Sequence, residues 1–223
     1  MDKELIIVGG GYSVREGIEK DLWNKIKGKT IWSLNFTYQT MPYNPTRQLW
    51  VDSKFYVLNM NDLYRMAQEG VELVSRANNK HKHVGEIVTY AASKTVKGIY
   101  DKKKDMLFSG GLGLVGVFSL SLAIKEEYNK IYLLGYDFGT PSLQNKKTHY
   151  YQDELEVRSG GIRNPNVYLT GKGHGKPKEH VQDFERFLEY GVDIYNVSMI
   201  TNIPYFTKIT YDSFFELTGK KLK

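Results

Sequence analysis

Residues 5–13 read LIIVGGGYS, and this stretch decides the fold class. Its first four residues form a short, continuous apolar run, which is typical of a strand that is buried on both faces of a sheet. Three glycines follow at once, and Ser13 with Glu16 three residues later has the capping-box spacing of a helix that extends to about residue 27. A strand, a glycine turn and a capped helix together predict the opening unit of an α/β nucleotide-binding fold.

The same alternation of apolar strands and helices continues along the chain. Further strands are predicted at 30–34, 48–51, 87–90, 96–100, 131–134 and 192–195, and helices at 61–77, 114–124 and 179–190, with a short strand and helix over 207–217. This alternation predicts a Rossmann-like, mostly parallel sheet with helices on both faces. We expect residues 1–223 to form a single domain, in which residues 139–178, rich in Gly and Pro, form a loop or small lid.

The composition narrows the class of protein and of partner. The chain carries 31 Lys and Arg against 25 Asp and Glu, a net charge of +6, but its basic runs are separated, so no nucleic-acid-binding stripe is predicted. No apolar stretch approaches the roughly 18 residues of a membrane helix, and the first residues lack the apolar core of a signal peptide. The absence of cysteine excludes disulfides and thiolate metal sites and fits a cytoplasmic location.

Polar residues follow several of the predicted strands. In parallel α/β sheets, ligands bind beyond the carboxyl ends of the strands, near the point where the strand order reverses. Because all these ends lie at one edge, we expect the polar residues that follow them to lie in one neighbourhood. They are Gly9 to Ser13, Asn35, Asp52, Asp137 and Asn196.

Two glycine-rich segments are candidate binding sites for a nucleotide. At Gly9, Gly10 and Gly11 the backbone can approach a phosphate or ribose closely, and the amides of a following helix favour an anion. The segment lacks the G-x-G-x-x-G and Walker A patterns, so the alternative is a tight turn capped by Ser13. Ser109 and Gly110 open a second glycine-rich segment, for which close packing of a helix on the sheet is the alternative.

A histidine in the predicted lid is the candidate general base. His149 follows Thr148 and precedes two tyrosines, and an imidazole at the mouth of a site can accept a proton near neutral pH. The alternative is a solvated loop histidine with no role in chemistry. No D-x-D sequence occurs, so a metal held by that kind of carboxylate pair is not predicted.

These segments, taken in order, resemble the Rossmann-like bacterial sialyltransferases of glycosyltransferase family 42, and also the related 6-hydroxymethylpterin pyrophosphokinase-like proteins. The family's G-N-G-P-S turn is matched by residues 9–13, its strand-ending Asn by Asn35, and its Thr-Ser-Gly segment by Ser109 and Gly110. Its I-Y-L-x-G-x-D-F segment is matched by residues 131–138, and its Ser-His-Tyr by residues 148–150. Only the last two matches are specific, although the resemblance covers most of residues 4–200. The general pattern also resembles that of short bacteriophage proteins.

The resemblance implies a nucleotide-sugar donor and a metal-independent sugar transfer. It assigns donor binding to the glycine turn with Ser13, to Asn35, to Ser109 with Gly110 and to Asp137, and it assigns the role of base to His149. Three positions depart from the family: Gly10 replaces Asn, Tyr12 replaces Pro, and Gly139 replaces the tyrosine that assists the leaving phosphate. Tyr150 or Tyr151 is the candidate substitute for that tyrosine.

Two other functions remain open at this stage. A pterin-pyrophosphokinase-like phosphoryl transferase would hold Mg²⁺ between Asp52 and Asp137. A non-catalytic nucleotide-binding or phage assembly protein would keep the fold without the chemistry, and the loss of the tyrosine at Gly139 favours it. The sequence does not decide whether the chain forms a homo-oligomer.

Overall fold

The computed structural model describes residues 3–76, 88–90, 114–138, 150–151 and 181–219, which contain one sheet of eight parallel strands. The strands are β1 (Glu4–Val8), β2 (Ile31–Leu34), β3 (Arg47–Trp50), β4 (Glu72–Arg76), β5 (Val88–Tyr90), β6 (Lys130–Leu134), β7 (Asp193–Asn196) and β8 (Thr207–Lys208). Their order is β5-β4-β3-β2-β1-β6-β7-β8. Strands β2 to β5 extend the sheet on one side of β1, and β6 to β8 extend it on the other. The topological switch point therefore lies between β1 and β6.

The helices flank this sheet. They are α1 (Val14–Glu19), α2 (Leu22–Lys25), α3 (Ser53–Gln68), α4 (Val115–Lys125) and α5 (Tyr211–Gly219), with 3₁₀ helices at Asn35–Thr40 and Glu185–Tyr190. In the described part of the chain, no helix combines the length and the apolarity needed to cross a membrane.

Helices cover both faces of the sheet, as predicted. Side chains alternate along β1, so Leu5 and Ile7 pack on one face with α4, in which every residue from 116 to 124 is buried. Ile6 and Val8 pack on the other face with α1, α2 and α5. Burial on both faces explains why β1 and β6 read as continuous apolar runs. The predicted Rossmann-like α/β class with a parallel sheet is therefore confirmed.

The prediction of a helix over 61–77 is wrong at both ends. Helix α3 begins at Ser53 and ends at Gln68, and Gly70, with φ of +84°, reverses the chain into strand β4. Val71 and Val74 suggested a helix because they are three residues apart, but Leu73, Val74 and Ser75 are all buried, as expected for a strand inside a parallel sheet.

Two other helix predictions differ from the structure. The segment predicted as one helix over 13–27 is divided at Asp21, whose φ of +65° interrupts helical geometry. The segment 185–190, predicted as part of an α-helix, is a 3₁₀ helix. The strand predicted at 96–100 and most of the proposed lid, residues 139–178, lie outside the described residues.

A buried arginine links three elements at the amino edge of the sheet. Arg47, the first residue of β3, forms ion pairs with Glu72 of β4 and, at 2.8 Å, with Glu126 after α4. Its guanidinium carbon lies 4.3 Å above the ring of Trp32. Because Arg47 is only 8% exposed, loss of one partner would leave the other charges poorly solvated.

We expect Arg47→Ala to lower the free energy of unfolding by about 3 kcal/mol, since it leaves two carboxylates without their partner in a partly buried site. Urea unfolding followed by circular dichroism measures this change. Arg65→Ala is the matched control, because Arg65 is 56% exposed and its ion pairs with Asp62 and Glu69 lie at the surface. The control should cost less than about 1 kcal/mol. Equal losses in the two variants would contradict this account of Arg47.

Candidate functional site

The candidate site is the carboxyl edge of the sheet, where the polar residues predicted from the sequence follow their strands. Gly9 follows β1, Asn35 follows β2, Asp52 follows β3 after one residue, and Asp137 follows β6 within three residues. All these strands are parallel, so their ends lie at the same edge. Ser109, Gly110 and His149 lie outside the described residues.

Two turns meet at this edge: the glycine turn after β1, formed by Gly9 to Gly11, and the turn after β6 that contains Gly135. The amide of Gly9 donates to the carbonyl of Leu134 at 2.8 Å, and the amide of Gly11 donates to that of Gly135 at 2.9 Å. A Cβ on Gly11 would lie 2.5 Å from the Gly135 carbonyl oxygen and 2.7 Å from the Asp137 carboxyl carbon. Gly135 has φ of +68°, which a side chain rarely tolerates. Packing between the turns therefore requires glycine at 9, 11 and 135.

The carboxylate of Asp137 binds the start of helix α1. The amide of Ser13 donates to Oδ2 at 2.7 Å, and the Ser13 hydroxyl donates to Oδ1 at 2.6 Å. Asp137 is 2% exposed, and burial raises its pKa above the ordinary value, while the hydrogen bonds from Ser13 act in the opposite direction. The two bonds connect residues that are 124 positions apart in the chain.

This contact changes the expected role of Ser13. The predicted capping box is absent, because Ser13 has helical dihedral angles and its side chain makes no capping bond within α1. The hydroxyl is directed to Asp137 instead. The protein's own carboxylate therefore occupies the end of α1, where a bound phosphate was expected. Whether Ser13 and Asp137 bind a nucleotide stays a prediction, and their observed contacts are with each other.

Tyr150 brings the chain beside His149 to the glycine turn. Its amide donates to the carbonyl of Gly10 at 3.1 Å, and its hydroxyl lies 2.6 Å from the Thr40 hydroxyl. Since Thr40 donates its proton to the carbonyl of Thr37, Tyr150 is the donor in this pair. Tyr150 is 2% exposed and is thus a firmly held residue of the core.

Tyr151 extends this anchor. It is 4% exposed, and its ring packs against Tyr150 and Phe36, with ring centroids 5.1 Å and 6.3 Å away. Aromatic pairs at these distances stabilise one another beyond simple burial. The phosphate contact predicted for either tyrosine is untested, and for Tyr150 it would compete with the bond to Thr40.

Asn35 has the strained geometry that often marks a functional residue. Its φ of +50° lies in the left-handed region, and its side-chain oxygen is shielded from solvent without a hydrogen-bond partner in the described structure. A buried acceptor without a partner costs free energy, so such groups usually meet water or a ligand. The register of β1 and β2 pairs Val8 with Ser33, and Gly10 and Asn35 each lie two residues beyond that pair. Asn35 and the glycine turn are therefore neighbours.

The loop after β7 fixes the segment that carries Asp137. The Thr201 hydroxyl donates to the carbonyl of Tyr136 at 2.6 Å, and the amide of Asn202 donates to that of Asp137 at 3.0 Å. Asn196, which is fully buried, donates to the Thr201 hydroxyl. The predicted position of Asn196 at the strand end is confirmed, and its amide supports this loop.

The two carboxylates proposed for Mg²⁺ are far apart. Asp52 follows β3 and Asp137 follows β6, and three strand spacings between β3 and β6 amount to about 14 Å. Asp52 is exposed, whereas Asp137 is buried and bonded to Ser13. A single ion cannot bind both side chains in this arrangement. Among the described residues, no group of three or more His, Asp or Glu side chains is placed to bind a metal.

The sequence analysis did not identify Gln48 and Thr40, which hold the site together. Gln48 is fully buried on β3 and donates to the backbone carbonyl of Asn35, and Thr40 binds Tyr150. A polar amide directly before the apolar run of residues 49–51 was a signal that could have identified Gln48. Thr40 gave no comparable signal.

Comparison with known proteins identifies the fold. Neither a protein-family model nor a curated protein sequence matches the chain. The crystal structure of the monofunctional α-2,3-sialyltransferase Cst-I from Campylobacter jejuni matches with a TM-score of 0.60 at 12% identity, covering 100% of this chain and 83% of that chain. A Tyr-to-Phe variant of sialyltransferase Cst-II, crystallised in complex with CMP, matches with a TM-score of 0.52 at 17% identity, covering 93% and 86%.

At these identities the comparison establishes a common fold. The predicted likeness to sialyltransferases is confirmed at that level. The likeness to pterin pyrophosphokinases stays a prediction, because the matching structures are sialyltransferases.

We expect Gly11→Ala to destabilise the protein by about 2 kcal/mol, because its methyl group would overlap a backbone oxygen and a buried carboxylate. Thermal and urea unfolding measure the loss. Gly219→Ala is the matched control: nothing lies within 4 Å of a Cβ at that position, and alanine favours the helix. If Gly11→Ala were as stable as the control, the two turns would not be in contact.

We expect Asp137→Asn to remove a pH dependence of stability. The folded-state pKa of Asp137 is raised, so the folded wild type binds this proton more tightly than the unfolded chain does. Wild-type stability relative to Asp137→Asn should therefore fall as the pH rises from the unfolded pKa to the folded pKa, and then level off.

Urea unfolding of both proteins from about pH 4 to about pH 8 tests this. An asparagine can keep both bonds to Ser13, because its oxygen accepts from the amide and its NH₂ group donates to the hydroxyl. A stability difference that rises with pH would contradict a raised pKa.

Proposed function

We propose that this chain is a glycosyltransferase-like enzyme that transfers a sugar from a nucleotide-sugar donor to an acceptor hydroxyl. The observation that carries the proposal is the anchoring of Tyr150 at the carbonyl of Gly10. His149 directly precedes Tyr150 in the sequence, and we propose that its imidazole acts at this turn. The Cst-II structure of the same fold was solved with CMP, which makes a cytidine nucleotide the first donor to test.

Asn35 is the residue with the best case for contact with the donor. Its side-chain oxygen is shielded from solvent and has no hydrogen-bond partner in the described structure. A ribose hydroxyl or a cytosine amino group is a donor that can satisfy such an oxygen. The amides of Gly9 and Gly11 are already bonded to β6 and to the turn that follows it, so we do not assign them to the ligand. The glycine turn is proposed to contribute only a backbone that the ligand can approach closely. Ser109 and Gly110 complete the proposed donor site.

The proposed reaction is an inverting displacement with His149 as the base. The imidazole removes the proton from the acceptor hydroxyl as its oxygen bonds to the anomeric carbon of the donor. The bond from that carbon to the phosphate oxygen breaks, and the nucleotide leaves with the electron pair. Tyr150 or Tyr151 is proposed to assist the leaving phosphate. In the family this role belongs to a tyrosine at the position that Gly139 occupies in this chain.

The proposed reaction needs no metal, and the carboxylate pair expected for the magnesium-dependent alternative does not support that alternative. A pyrophosphokinase-like reaction was expected to hold Mg²⁺ between Asp52 and Asp137, which lie about three strand spacings apart in the sheet. The non-catalytic alternative becomes an outcome of the experiment.

We expect CMP to raise the melting temperature of the wild type, equally with EDTA and with Mg²⁺, because a ligand that binds only the folded state stabilises it. His149→Ala should keep this shift and lose at least about 100-fold in turnover of CMP-sugar, as expected for a general base. Thermal shift and release of CMP are the measurements.

The outcomes separate the alternatives. Tyr64→Phe serves as the control for turnover, since Tyr64 is 42% exposed on α3 and has no assigned role in binding or in the reaction. A CMP shift without turnover by the wild type would indicate a non-catalytic nucleotide-binding protein. Turnover that is abolished by EDTA would reject the metal-independent mechanism, and full turnover by His149→Ala would reject this base.

A further inference from the structure

Gln48 is a polar residue in the interior of the sheet. It is fully buried on β3, between β2 and β4, and is followed by Leu49 and Trp50, which are also buried. Burial of a side-chain amide is costly unless its oxygen and its NH₂ group are bonded. An apolar residue would satisfy the core at this position, so the amide calls for a specific explanation.

The hydrogen bonds of Gln48 fix its orientation. The Ser33 hydroxyl donates to Oε1 at 2.6 Å, and Nε2 donates to the backbone carbonyls of Asn35 at 2.9 Å and Leu49 at 3.2 Å. Because carbonyl oxygens only accept, the group that faces them must be the NH₂ group, and the amide cannot be reversed. Ser33 is also fully buried, so this small network is closed to solvent.

The network of hydrogen bonds around Gln48 ends on Asn35, whose backbone is in the left-handed region. Asn35 begins the 3₁₀ helix after β2 with φ of +50°, a left-handed conformation that is uncommon outside glycine, although asparagine adopts it more readily than most residues. The bond from Gln48 to the Asn35 carbonyl fixes one side of that residue. The direction of its side chain depends on this backbone conformation.

We propose that Gln48 is a positioning residue for nucleotide binding, which acts by holding the backbone of Asn35 so that its side-chain oxygen meets the ligand. The inference rests on the proposed function, since it requires Asn35 to contact the nucleotide. Gln48 itself does not touch the ligand, because it is fully buried on β3, between β2 and β4. Its contribution is to preorganise the Asn35 amide before binding.

A double-mutant cycle on CMP affinity tests the proposal. Gln48→Met has a similar shape but cannot donate to the Asn35 carbonyl, and we expect it to weaken CMP binding about 5- to 10-fold. Asn35→Ala should weaken binding at least as much, because it removes the contact. In the Asn35→Ala background, Gln48→Met should have no further effect on the dissociation constant, because Gln48 affects binding only through the Asn35 side chain. Isothermal titration calorimetry measures all four proteins.

Controls separate positioning from general destabilisation. Arg47→Met alters the preceding residue of the same strand at the amino edge, and it should lower the melting temperature without changing the CMP affinity of the folded protein. Ser33→Ala gives a second, milder test that is expected to fold, because it removes only the bond to Oε1 and leaves both bonds that Nε2 donates. It should weaken CMP binding in the wild-type background and not in Asn35→Ala.

The failure of this inference can be told apart from the failure of the proposed function. If the wild type binds CMP but Gln48→Met and Ser33→Ala bind it as tightly, the inference is overturned and the proposed function stands. The same holds if their losses are equal with and without the Asn35 side chain. If the wild type does not bind CMP, the proposed nucleotide site and the inference are both overturned.

Discussion

The bond pair between Asp137 and Ser13 is the constraint on which the rest of the candidate site depends. It holds the turn after β1 against the turn after β6, at the point where the strand order reverses. The close approach leaves no space for a side chain at Gly11, and the loop after β7 adds bonds to the Asp137 segment from the other side. Three strand ends are thereby fixed relative to one another without a bound ligand.

This arrangement assigns different tasks to residues that looked equivalent in the sequence. Asp137 and Asn35 both follow strands, but the carboxylate is occupied within the protein whereas the Asn35 oxygen has no partner in the described structure. The Ser13 amide and hydroxyl at the start of α1 are already bonded to Asp137, which leaves them unavailable to a phosphate. The donor site that we propose is therefore on the β2 side of the glycine turn, where Asn35, Thr40 and Tyr150 lie together.

The fold was predictable because its signals are local. Continuous apolar runs such as residues 5–8 and 131–134 identify strands buried on both faces, and parallel topology then places their ends at one edge. The break at Asp21 and the strand at 72–76 were missed, because residues spaced by three or four fit a helix as well as a buried strand.

The site was predictable only as a set of positions. The residues that follow the strands could be named, but their partners could not, since Ser13 meets Asp137 across 124 residues and Tyr150 meets Thr40 across 110. Such pairs depend on tertiary packing, which no local pattern encodes. The same limit explains why the serine was assigned to a helix cap and why Thr40 was overlooked.

The last strand of the sheet has a consequence for how the protein behaves at high concentration. Strand β8 contains only Thr207 and Lys208, both exposed, and forms one margin of the sheet in the described structure. A long, flat edge strand would present a row of unpaired backbone amides and carbonyls to another molecule. A two-residue edge strand that ends in lysine presents very few such groups. This side of the molecule is thus poorly suited to intermolecular strand pairing, the first step of many aggregation pathways.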